Sequence, residues 1–321
     1  MRKLIAASII VSAGFTLQAQ TPQTAAKSLV WAYPVPDPNQ NGPADNKPKS
    51  LAGSTKSYTQ AQIDDQFKPP DWFPNEHAPL PRVVESGIQA QACGSCHLMS
   101  GQGHPESAQL AGLPVQYMLR QMEDFKNNLR KDPDPLAQSM RAGRMQVIAA
   151  GLPDEEMRKA VEWFANLKPT VWYKVIEADT VPKTWVNGGR MRLPLPAGGT
   201  EPLGNRIITL PQDPARVELR DPHSGFIAYV PKGSLKRGEE LVTKGGGKTI
   251  ACATCHGDNL RGLGDVPRLA GVHPIYVVRQ LYNIQVGANS SSAAALMKKV
   301  VEKLSEDDMV AIAAYTASLQ P

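Results

Sequence analysis

The chain has 321 residues, 41% hydrophobic and 20% charged, enough for two or three domains with cores of their own. A formal net charge of +5, with no basic run interleaved with aromatics, argues against a nucleic-acid groove. Only four residues are cysteines, so any cysteine chemistry is confined to a few positions.

Residues 1–19 read as a cleaved signal peptide. Arg2 and Lys3 form a basic start, Leu4 to Leu17 is a short, mostly apolar run, and Leu17-Gln18-Ala19 ends on a small residue. The run is too short for an ordinary transmembrane helix, so export to the periplasm is expected. Residues 20–81 form a Pro-rich arm. In it, Trp31-Ala32-Tyr33-Pro34-Val35-Pro36-Asp37-Pro38 is excluded from helix, because its prolines fix φ and lack the N–H donor. Ser57 to Phe67 reads as a short helix closed by Pro69-Pro70. Trp31, Trp72 and Phe73 are too apolar for a free tail, so the arm is expected to pack over a folded domain; a disordered spacer is the alternative.

All four cysteines lie in two copies of one pentapeptide, Cys93-Gly94-Ser95-Cys96-His97 and Cys252-Ala253-Thr254-Cys255-His256. C-x-x-C-H is the attachment signature of c-type haem. The spacing puts both thiols and the imidazole on one face of a helical turn. The thiols then bond the vinyl groups of one porphyrin, and the imidazole reaches the iron. A structural zinc site would need its two pairs together, whereas Cys96 and Cys252 are separated by 155 intervening residues. Two covalently attached haem c groups (iron) are therefore expected, on Cys93 and Cys96 and on Cys252 and Cys255, with His97 and His256 as metal ligands. Export removes Arg2 and Lys3, and two haems add four propionates, about −4, so the holoprotein is near neutral.

Around the pentapeptides runs a tandem repeat. Cys93 to Tyr117 and Cys252 to Tyr276 both span 24 residues, Leu110-Ala111-Gly112 matches Leu269-Ala270-Gly271, and Arg120-Gln121-Met122 matches Arg279-Gln280-Leu281. The offset is 159 there and 152 from Met145 (Met297) onward, so the first copy carries seven extra residues ahead of its Met. Apolar spacings of three and four predict helices over Val115–Asn128 and Ile275–Ile284. An acidic first turn opens the last helix of each copy, with apolar faces Met157, Val161, Phe164, Leu167 and Met309, Ile312, Ala313, Thr316. Domain 1 is placed at 82–167 and domain 2 at 233–321.

Between them, residues 168–232 are rich in Pro and Gly, with strand candidates at Trp172–Glu177, Arg206–Leu210 and Phe226–Val230, and read as a β-containing inter-domain insert. Lys244-Gly-Gly-Gly-Lys248-Thr249 has Val242 where a phosphate loop needs its first Gly, and reads as a turn. Asn289-Ser290-Ser291 reads as a chance glycosylation match.

The second axial ligand decides what a haem does: a thioether closes the iron for electron transfer, an open position suits peroxide or oxygen chemistry. Met297 is the sole Met between Tyr276 and Leu304. In the first copy Met140 and Met145 compete, and the seven-residue spacing to Leu152, matched by Met297 to Leu304, selects Met145. His77, His104, His223 and His273 have no counterpart in the other copy and read as surface or loop residues; His104 is the one competitor for the first iron.

Taken together, the two C-x-x-C-H motifs, Leu-Ala-Gly, Tyr-x-x-Arg-Gln and the late Met resemble the di-haem class I cytochromes c of the cytochrome c4 type. The resemblance implies a mainly α protein of two tandem class I cytochrome c domains, each around one His/Met-ligated haem, moving electrons in the periplasm and catalysing no bond chemistry. It also implies that a Pro just ahead of Leu-Ala-Gly holds the proximal imidazole through its carbonyl. Pro267 fits, whereas Ala108 stands there in the first copy, so the two haems are expected to differ in potential. Expected partners are redox proteins: a dehydrogenase, a quinol-oxidising complex or a terminal oxidase. The arm and the insert depart from the family and suggest docking surfaces. The rival readings are a subunit of a membrane-associated dehydrogenase or oxidase complex, and a di-haem enzyme of the peroxidase or thiosulfate-oxidising type.

Overall fold

A computed structural model describes residues 29–37, 46–88, 90–131 and 143–321. The signal-peptide stretch and Met140 lie outside these residues.

The arm is folded onto the rest of the chain at both of its described segments. A single 3-10 turn, Val30–Ala32, precedes the prolines. Leu29, Ala32 and Tyr33 are buried in the core of the C-terminal unit. The Tyr33 hydroxyl donates to Asn283 Oδ1 at 2.9 Å. Further on, helix α1 (Gln60–Ile63) is shorter than its sequence suggests. Thr59 starts it with a capping box to Gln62, and it stops at Asp64, ahead of Pro69-Pro70. Trp72 is buried with Leu51 and Ile63, and its indole donates to the Leu219 carbonyl at 2.7 Å. The Trp163 indole donates to the Ala78 carbonyl at 3.2 Å. The arm thus contacts both helical units and the insert.

The first unit contains α2 (Arg82–Glu85), α3 (Cys93–His97), α4 (Val115–Lys126), α5 (Gly143–Gly151) and α6 (Asp154–Ala165). Met157, Val161 and Phe164 of α6 are buried against Met118 of α4 and Leu152, as their spacing predicts. The insert follows as seven strands, β1 (Tyr173–Glu177), β2 (Thr180–Pro182), β3 (Thr184–Val186), β4 (Arg192–Pro194), β5 (Thr200–Pro202), β6 (Ile208–Pro211) and β7 (Phe226–Val230), with the short α7 (Pro214–Glu218) before the last. Its main sheet has the order β1-β7-β6, β1 parallel to β7 and β6 antiparallel to it. Phe226, Ala228 and Val230 alternate inward, as a strand with one buried face requires.

The second unit contains α8 (Ser234–Lys244), α9 (Ala253–His256), α10 (Pro274–Gln285), α11 (Ser292–Val301) and α12 (Glu306–Ser318). Helices α8 and α12 cross closely at Gly238, where a Cβ would lie 2.1 Å from the Ala311 carbonyl oxygen. The Gly245–Gly247 turn has all three glycines at positive φ, which explains a glycine run without any phosphate.

The two units meet as an isologous pair. Arg120 bonds Asp265 at 3.2 Å, and Arg279 bonds Glu106 at 2.9 Å. With the repeat offset of 159, these are the same contact made twice in opposite directions, the signature of a two-fold relation. Burial first, and then its counterpart Tyr276, push the Tyr117 hydroxyl's pKa up. Arg130 donates to Gln121 and to Gln280, the counterpart of Gln121, each at 2.8 Å. Arg130 also forms an antiparallel bridge with Asn289, its own counterpart. Asn289 is buried in that bridge, away from any glycosylating enzyme.

Candidate haem sites

In each unit a short helix carries the pentapeptide, so the first thiol and the imidazole share one face. His97 Nδ1 lies 2.8 Å from the Ala108 carbonyl, and His256 Nδ1 lies 2.7 Å from the Pro267 carbonyl. An imidazole donating from Nδ1 leaves Nε2 as an acceptor, the tautomer a metal ligand needs. Burial lowers the pKa of both rings, partly opposed by these carbonyls, which keeps them neutral. Ala108 therefore supplies the same orienting group as Pro267, without the proline ring. Burial pushes the Cys93 thiol up to about 12, helped by Cys96, and the Cys252 thiol up to about 11. Neither behaves as an activated redox thiolate.

A cavity of about 830 Å³ opens beside the first pentapeptide, lined by Cys93, Cys96, His97, Leu152 and Met145. Both thiols, the imidazole and the thioether thus border one space, and a single haem fits that donor set. Tyr276 and Arg279 of the second unit and Trp185 of the insert also line it. In the second unit, Met297 lies on α11 and packs against the core that Cys252 also joins. Ser291 caps α11 by accepting from the Ala294 amide.

Four features were not expected from sequence. His273 is 0% exposed and precedes α10 directly, so it belongs to the core, not to the surface. His104 is half-buried, and burial, Arg220 and His97 together push its pKa down to about 3. Arg220, from the insert, donates to the Ser95 carbonyl inside the first pentapeptide. Arg268 is 5% exposed and follows the residue that orients His256. Arg220 carried no sequence signal. Arg268 did, because the repeat offset sets it opposite the neutral Gln109.

The cytochrome c family model matches residues 86–168 and 235–320. The chain belongs to the cytochrome c family, and its two pentapeptides are sites of covalently bound haem c. More narrowly, it is a cytochrome c4-like di-haem electron-transfer protein. It is 26% identical over 235 residues to cytochrome c4 of Azotobacter vinelandii, covering 72% of this chain and 86% of that protein. It is 37% identical over 81 residues to a thiosulfate dehydrogenase electron acceptor of Stutzerimonas stutzeri, covering 24% of this chain and 36% of that protein. A solved cytochrome c4 from Acidithiobacillus ferrooxidans aligns with TM-score 0.47 and 21% identity, over 71% of this chain and 98% of its own.

Proposed function

We propose that the protein is a periplasmic di-haem electron carrier, with His97 and Met145 ligating the first iron and His256 and Met297 the second. The observation that carries this reading is the first cavity, where Cys93, Cys96, His97 and Met145 border one space, together with the repeat that supplies an equivalent set around His256. Bound haem supplies a one-electron ferrous/ferric couple. The chain attaches the porphyrin, fixes both imidazoles through backbone carbonyls, and closes each iron with a thioether. Among the described residues, no helix is long and apolar enough to cross a membrane. The domain limits that fit this reading are 82–167 and 233–321, with 168–232 as the insert.

The partner is a redox protein, and a dehydrogenase is favoured because one relative is named as the electron acceptor of thiosulfate dehydrogenase. A second reading, an electron-accepting subunit held within such a dehydrogenase, is favoured by the insert and arm. Co-purification of a stable complex at high salt distinguishes it from a free shuttle.

The test is the optical spectrum of the oxidised holoprotein. Met ligation of ferric haem gives a weak near-red band. M145A and M297A should each remove part of it, and the double variant all of it, while M140A leaves it intact. High-spin spectra in the unsubstituted protein, or loss of the band in M140A, would overturn the assignment.

A further inference from the structure

Several buried side-chain polar atoms lack a hydrogen-bond partner among the described residues. They include Arg268 Nε and Nη2, both His273 nitrogens, the Tyr173 hydroxyl and Gln109 Oε1. Arg268 stands out because it carries a formal charge. Its one hydrogen bond runs from Nη1 to the Ala270 carbonyl at 2.8 Å. No described carboxylate forms an ion pair with it. Burial alone lowers its pKa, to about 10, so the guanidinium remains a cation at neutral pH. A buried cation with two idle donors is costly unless an anion completes it.

The second haem brings such anions. Arg268 directly follows Pro267, whose carbonyl orients His256, so its backbone is fixed beside the second attachment site. A guanidinium also matches a carboxylate in shape, with parallel donors for both oxygens. In the first unit the same repeat position holds Gln109, buried, neutral and donating to Gln102 Oε1 at 3.0 Å. At this one repeat position the duplicated scaffold carries a positive charge in the second copy and an amide in the first.

We infer that Arg268 is the counter-ion of a propionate on the second haem, and a positioning residue that sets that haem's reduction potential apart from the first. A cation beside the haem opposes the gain of positive charge on oxidation, so it raises the potential of the haem it adjoins. Gln109 provides no such charge at the matching position; the cations around the first site include Arg220 from the insert and Arg279 from the other unit, so this position is one where the repeat itself treats the two haems differently. This inference rests on the two-haem reading above, which haem content and the spectrum of the unsubstituted protein test separately.

The experiment is a spectropotentiometric titration of holoprotein carrying R268Q, which installs the first copy's residue, and R268K, which keeps the charge. The two haems are told apart by their separate haem-methyl resonances. In R268Q the reduction equilibrium of the second haem should shift towards the ferric form by about tenfold, which is about 59 mV for one electron. The first haem should move much less, and R268K should recover most of the shift. An unchanged second haem in R268Q means that water alone completes Arg268, and overturns the inference. An equal shift of both haems, or a shift in R268K as large as in R268Q, overturns it as well, because the effect is then one of packing and not of charge.

Discussion

The cross-unit ion pairs offer an internal control for what burial does to a salt bridge. Arg279–Glu106 and Arg120–Asp265 are the same pair of repeat positions, yet the side chains are 7% and 9% exposed in the first pair and 47% and 51% in the second. Replacing Glu106 by Gln leaves the Arg279 guanidinium buried without its carboxylate. Its other partners include the Pro105 carbonyl at 3.1 Å, the Ala32 carbonyl at 3.4 Å and the Tyr33 ring. Breaking a buried pair in this way costs about 3–5 kcal/mol, and the surviving contacts place E106Q near about 3 kcal/mol. Replacing Asp265 by Asn removes an exposed pair that water already screens, at about 0.2–1 kcal/mol. Denaturant unfolding of the oxidised holoprotein, followed by the haem spectrum, measures both. Double-mutant cycles with R279Q and R120Q isolate the coupling in each pair. Equal costs for E106Q and D265N would refute the argument, since sequence position would then matter and burial would not.

Two further outcomes follow from the second unit. G238A should destabilise it by about 3 kcal/mol or more, because a Cβ there overlaps the Ala311 carbonyl and lies 2.7 Å from Tyr315 Cβ; calorimetry showing a loss under about 1 kcal/mol contradicts the close helix crossing. Asp308 is buried, which opposes its ionisation, but Lys248, the Ser305 backbone, Arg237 and the Ser305 hydroxyl outweigh this and hold its carboxyl well below the ordinary range. Its folded pKa is therefore lower than its unfolded one, so the stabilisation is complete above the unfolded value of about 3.9 and drains away as pH falls below it. D308N should remove that part of the acid sensitivity and lower stability at pH 7, and an unchanged pH–stability curve between pH 5 and 2 counts against it.

How far the sequence carries depends on whether the governing interaction is local. The pentapeptides, the α4 and α10 periodicities and the acidic first turns of α6 and α12 are encoded over a few residues, and the structure places them where the spacing does. The strand Phe226–Val230 was legible for the same reason. The sequence pattern overextends helix α1, because the Thr59–Gln62 capping box sets a start that no apolar period reveals. The burial of His273 is not legible locally, because it is packed by Tyr173, from another part of the chain, whose ring lies 5.1 Å away. Arg220 acts on Ser95 across 125 residues, and only the folded insert brings them together.

The insert and arm give the two halves of the duplicated chain unequal surroundings. A two-fold pair built from identical copies would expose each haem edge alike. Here the arm's Gln66 carbonyl accepts from the Ala92 amide at 2.9 Å, just ahead of the first pentapeptide. Arg220 binds Ser95 within it. In the second unit, Cys255 is exposed, as are Ile250 and Leu263 on either side of the motif. The additions therefore fall on one copy's attachment motif and leave the other's accessible. Charge enters from two sources: the insert sets Arg220 on the first motif, and the repeat itself sets Arg268 in the second copy against Gln109 in the first. Both act on the same pair of sites, so the two attachment motifs, alike in sequence, sit in different surroundings.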